Sequence, residues 1–110
     1  MLEPLAQAAV GRYRPLDWSS GSPRYGAAVV VPVVDVLVVE GVSAGRAVAR
    51  PLLSQLCWIC GPDSERRLLR SVGRDGEPER ENLLAWQRFE QGWFAADRTA
   101  ANADSRVCND

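Results

Sequence analysis

Two residue types are missing outright: the 110 residues contain no lysine and no histidine, and all 13 basic side chains are arginine. Without histidine there is no His general base, no Ser-His-Asp triad and no histidine-containing metal site. Without lysine there is no Schiff-base amine and no lysine for a phosphate-binding P-loop. Cysteine is scarce, and Cys57, Cys60 and Cys108 make an odd count. Cys57-Trp58-Ile59-Cys60 has the spacing of a redox or zinc half-motif, yet it lies in the apolar run 56–60, which reads as a strand. A thioredoxin-type pair needs a helix N-terminus beside it, and a zinc site needs a fourth ligand. Neither is visible, so the pair reads as small buried hydrophobes, reduced, as suits the cytoplasm. Long apolar runs are lacking too. Residues 27–39 are too short to span a membrane and are broken by Pro32 and Asp35. The N-terminus has neither the basic start nor the apolar core of a signal peptide, so the expectation is a soluble cytoplasmic protein. The formal net charge of -1 supplies no electrostatic reason for a nucleic-acid or membrane partner.

The stretch Asp35-Val36-Leu37-Val38-Val39-Glu40-Gly41 organises what is present. Its aliphatic residues run on without polar alternation, as in a strand buried on both faces. A carboxylate at the C-terminal end of such a strand stands where open α/β sheets place their ligands. In a nucleotide-binding sheet that carboxylate serves Mg²⁺, directly or through water. Elsewhere the same pattern is simply a buried strand whose last residue is acidic. A chain of this length makes one domain, residues 1–110, around one core.

Along the chain, residues 2–10 read as a short helix, with Pro4 tolerated in its first turn and Gly11 as its stop. Residues 11–18 mix arginine, aromatics and a carboxylate with few periodic apolar positions, and 19–23 are loop. The segment is either a surface loop with amphipathic anchors or a substrate-facing one. In the second case Tyr13 or Trp18 stacks on a flat ring and Asp17 accepts hydrogen bonds. A strand over 28–31, a short helix over 47–55 and a strand over 56–60 come next. Asp63 or Ser64 caps a helix whose Leu68, Leu69 and Val72 point inward, and Arg66, Arg67, Arg70 and Arg74 recur along it at helical spacing. A second helix from Glu79 to about Arg98 carries Leu83, Leu84, Trp86, Phe89, Trp93 and Phe94, an amphipathic stripe whose aromatics read as core. A last strand lies within residues 103–110, through Arg106-Val107-Cys108. The order is that of an α/β fold with a mostly parallel sheet.

Several of these pieces, taken in order, resemble the uridine kinase-like branch of P-loop nucleoside kinases, in its short actinobacterial form. They are Gly11-Arg12-Tyr13-Arg14 with Leu16-Asp17-Trp18, the strand ending in Glu40-Gly41-Val42, Arg70 with Arg74-Asp75-Gly76, Trp86, Glu90 and Trp93-Phe94-Ala95-Ala96-Asp97, and Ala103-Asp104. The resemblance implies a partial three-layer P-loop fold and ATP-dependent phosphoryl transfer to a nucleoside-type hydroxyl. It gives Glu40 the Mg²⁺ and ATP phosphates, directly or through water. It makes Arg66, Arg67, Arg70 and Arg74 a lid helix on the transferring phosphate, with Glu40, Arg70 and Arg74 catalytic. It turns Tyr13, Asp17 and Trp18 toward the nucleoside. Guanidinium forks suit that task, because they neutralise phosphate oxygens as charge develops. The chain departs from the family in having no Gly-rich P-loop, no P-loop lysine, no first strand or helix, and no placeable acid to activate the hydroxyl. Phosphoryl transfer depends on positioning and charge stabilisation, so the expectation is an incomplete, inactive kinase domain. Its exposed sheet edge would favour self-association. The alternative is a non-catalytic nucleoside- or partner-binding domain on the same scaffold.

Overall fold

Residues 1–109 are described by a computed structural model. The chain divides into two compact units, Met1–Glu40 and Gly41–Asp110.

The first unit opens with α1 (Leu2–Ala6), which has Glu3 and Pro4 in its first turn. Two antiparallel strand pairs follow. β1 (Gly11–Tyr13) pairs with β4 (Val29–Val31) in the register Gly11↔Val31, Arg12↔Val30, Tyr13↔Val29. β2 (Leu16–Asp17) pairs with β3 (Arg24–Tyr25). Residues 11–18 are thus mostly strand rather than the expected loop. Arg14 is part of the reason: its Nε donates to the Gly26 carbonyl at 2.9 Å and its Nη2 to the Tyr25 carbonyl at 3.2 Å. Its guanidinium also stands 5.4 Å from the Tyr25 ring centroid, a cation–π contact.

The expected central strand does not form. Residues 32–40 enter no ladder and are exposed; Val36 is 78% and Val38 83% accessible. Pro32 supplies the first cause, since it has no N–H to continue the pairing of β4. The second is the lack of a neighbour: a run with apolar residues on both faces is stable as a strand only inside a sheet covered on both sides. Glu40 is therefore an exposed carboxylate on an extended segment and does not terminate a buried strand.

In the second unit, Gly41 (φ +142°) uses backbone freedom that a side chain would oppose. The helix expected over 47–55 shrinks to one 3₁₀ turn, Arg50–Leu52. Pro51 explains this, because it cannot donate the bond an α-helix needs beyond its first turn. β5 (Cys57–Cys60) then pairs in parallel with β6 (Ser105–Cys108), from Cys57↔Ser105 to Cys60↔Cys108. A parallel pair needs a long crossover, and here it consists of two helices. The fold is mixed α/β with small sheets. Among the described residues one strand pair is parallel and two are antiparallel, in place of a mostly parallel sheet.

The first crossover helix, α2 (Ser64–Asp75), starts at Asp63, whose side chain accepts from the Arg66 N–H at 2.9 Å. It stops at Gly76 (φ +99°), whose N–H bonds the Val72 carbonyl at 2.7 Å. Leu68 and Val72, one turn apart, are buried, whereas Leu69 is exposed instead of inward. The second, α3 (Arg80–Asp97), ends at Arg98 in the left-handed conformation. Trp58 of β5 meets Phe94 of α3 edge-to-face at 4.7 Å, fastening the strand to the helix. Trp86 and Phe89 depart from expectation. They are 50% and 56% exposed, while Gln87, Glu90 and Asp97 take half-buried positions on the helix.

The cysteines also differ from the sequence reading. Cys60 and Cys108 form a disulfide across the β5–β6 pair, with Cα atoms 4.4 Å apart, and Cys57 is an exposed free thiol. The cause is register: parallel pairing sets the two side by side at the ends of their strands. Such a bond persists in oxidising surroundings, so the cysteines do not support a cytoplasmic location. Among the described residues no helix is long and apolar enough to cross a membrane.

Candidate functional site

α2 and α3 flank a half-open cleft of about 450 Å³ within the second unit. Arg67, Arg70 and Arg74 line its α2 side; Leu83, Trp86 and Glu90 line its α3 side. The spacing i, i+3, i+7 explains the convergence of the arginines, since positions three and four apart share a helix face. The fourth arginine of the expected lid, Arg66, lies off that face, 3.7 Å from Asp63. At the cleft's side Gln87 donates its Nε2 proton to the Ser64 carbonyl at 3.1 Å, tying the start of α2 to α3.

The three arginines are not equivalent. Arg74 forms a fork with Asp75, Nε to Oδ1 at 2.7 Å and Nη2 to Oδ2 at 2.8 Å. These hydrogen bonds raise the Arg74 pKa and hold that of Asp75 below the ordinary value of 3.8. Arg67 and Arg70 have no ion pair among the described residues. Their charges are available to an anion, whereas Arg74 must share its fork with Asp75.

The remaining candidates belong to the first unit. Tyr13 sits on β1 opposite Val29, and Trp18 is exposed just after β2. Asp17 accepts from the Ser19 N–H at 2.9 Å, which pulls its pKa below 3.8 and commits one oxygen to the turn. Glu40 offers a single carboxylate; among the described residues no group of three His, Cys, Asp or Glu side chains gathers to hold a metal ion. A lone carboxylate can join Mg²⁺ only when phosphate oxygens and water complete the octahedron.

Asp97 anchors a second cluster, which reading the sequence did not single out. Its Oδ1 accepts from the Ala47 N–H at 3.0 Å, and its Oδ2 accepts from Arg50 Nη1 at 2.7 Å and from the Thr99 hydroxyl. Arg50 also reaches the Gly45 carbonyl at 3.0 Å and the Asp97 carbonyl at 3.2 Å. The Asp97 side chain is 11% exposed. Its pKa is lowered, chiefly by the Thr99 hydrogen bond, with Ala47 and Arg50 acting the same way against desolvation. Both carboxylate oxygens accept from protein donors, so the cluster fixes loop 45–50 to the end of α3. The usable signal in the sequence was a carboxylate ending an amphipathic helix, followed at once by Arg98-Thr99.

No protein-family model, curated protein or solved structure matches the chain.

Proposed function

We propose that the α2–α3 cleft binds the phosphates of a nucleotide, as the arginine lid of a P-loop nucleoside-kinase-like scaffold does. One observation carries this reading: among the described residues, Arg67 and Arg70 line the same cleft as Arg74 with no carboxylate in an ion pair with either. Unpaired guanidinium groups in a concave site are ready donors to phosphate oxygens, and the one carboxylate of the lining, Glu90, stands on the α3 side. Within this reading the ligand is ATP; the roles that the resemblance gives Glu40 on Mg²⁺ and Tyr13, Asp17 and Trp18 on a nucleoside fall in the first unit and are not part of this cleft. The chain carries no P-loop lysine, so binding without turnover is the expected behaviour. That favours the non-catalytic form of the proposal, a nucleotide-binding domain on a kinase-like scaffold.

Isothermal titration of the full chain with sodium tripolyphosphate and with ATP tests this. Both should bind, and Arg70→Ala should weaken both by about tenfold, the order expected for a hydrogen bond to a charged group. Failure of either probe to bind, or an Arg70→Ala affinity equal to wild type, would defeat the cleft assignment. The exposed run around Val36 and Val38 supports self-association as a further part of the proposal.

A further inference from the structure

Trp86 and Phe89 are the large aromatics that the fold leaves uncovered on α3, and only Trp86 of the two lines the arginine cleft. Their rings stack, with centroids 5.3 Å apart and planes 25° from parallel. Phe89 thus backs one face of the indole and holds its orientation, while half of the Trp86 surface stays open to solvent. A rigid indole beside three guanidiniums, in a cleft of about 450 Å³, has the room and chemistry for a phosphorylated aromatic ring.

We infer that Trp86 is the base-stacking platform of this cleft, which makes it a site for nucleotides and not for any polyphosphate. This rests on the phosphate reading of the cleft given above. Glu90, one helical turn beyond Trp86 on the same lining, repels phosphate and confines it to the Arg67–Arg70 side. The base is left with the aromatic side. The site thereby has two chemically distinct ends, and a nucleotide satisfies both.

The test compares ATP with inorganic tripolyphosphate on the full chain by isothermal titration, in wild type, Trp86→Leu and Trp86→Tyr. One base–aromatic stack should make ATP bind about tenfold more tightly than tripolyphosphate in wild type. Trp86→Leu should abolish that preference and leave tripolyphosphate affinity unchanged, which also shows that the variant is folded. Trp86→Tyr should keep most of the preference. Equal affinity for both probes in wild type, or a preference that survives Trp86→Leu, would overturn the stacking role while the phosphate site stands. A Trp86→Leu variant that loses tripolyphosphate as well passes the decision to Trp86→Tyr, where loss of the preference overturns the inference. If neither probe binds wild type, the phosphate reading fails and the platform fails with it.

Discussion

Replacing Cys108 with serine is the most informative single perturbation of the second unit. The disulfide closes a loop with a sequence separation of 48 residues. Chain-entropy arithmetic for a loop of that length gives about 4 kcal/mol of stabilisation, through the freedom removed from the unfolded chain. Little else in the unit matches it. Among the described residues its buried apolar side chains are Ala49, Leu68 and Val72, none of them completely covered, and β6 pairs with β5 alone. Small domains are stable by about 5–15 kcal/mol in total, so the loss should leave the unit at the edge of unfolding. The assay is a urea titration followed by tryptophan fluorescence and by circular dichroism, with and without dithiothreitol. Wild type should have a midpoint that collapses on reduction; Cys108→Ser should already sit at the reduced midpoint and ignore the reductant. A thiol count should find Cys57 alone in the native chain and three thiols after reduction in denaturant. Three reactive thiols in the native, unreduced chain, or a wild-type midpoint indifferent to dithiothreitol, would refute the reasoning.

Asp75→Asn should free the Arg74 fork and tighten tripolyphosphate binding severalfold in titration; weaker binding would mean that the Arg74–Asp75 pair itself shapes the cleft. Asp97 has a folded pKa below 3.8, so its stabilising contribution is complete above that value and disappears as pH falls through the lower folded one. Asp97→Asn should therefore melt earlier than wild type at neutral pH and show a flatter decline toward acid, as read by thermal circular dichroism. Leu68→Ala should destabilise the second unit by about 2 kcal/mol, the lower end for a truncated leucine because so small a core can relax around it; denaturant titration measures this. Val36→Lys with Val38→Lys should shift a self-associated population to monomer in sedimentation velocity, and an unchanged profile would remove this segment as the contact.

How much could be read in advance depended on whether the cause was local. The cap at Asp63 or Ser64 and the strand over 56–60 both follow from near neighbours, and the structure has the cap at Asp63 and the strand at Cys57–Cys60. The arginine comb was legible for the same reason, since helical spacing alone puts Arg67, Arg70 and Arg74 on one face. The uninterrupted valines from Val36 to Val39 misled, because strand propensity is realised only when another strand accepts the hydrogen bonds. The aromatic stripe of α3 was misphased in a similar way. Apolar periodicity marks a band wider than the contact, and the packing of Phe94 on Trp58 decided which residues it covers.

By itself the sequence determined the chemistry in reserve: arginine as the sole basic residue, no histidine or lysine to run acid–base or amine catalysis, two helices, the first with its cap, and a guanidinium face. The tertiary structure decided what those residues meet. It paired Cys60 with Cys108 across 48 residues, saturated Asp97 with donors from a distant loop, and opened Trp86 to the cleft. The division has a physical origin. Capping, helical spacing and charge act over one or two turns, whereas a disulfide, a shared carboxylate and a cleft exist only after remote segments have been brought together.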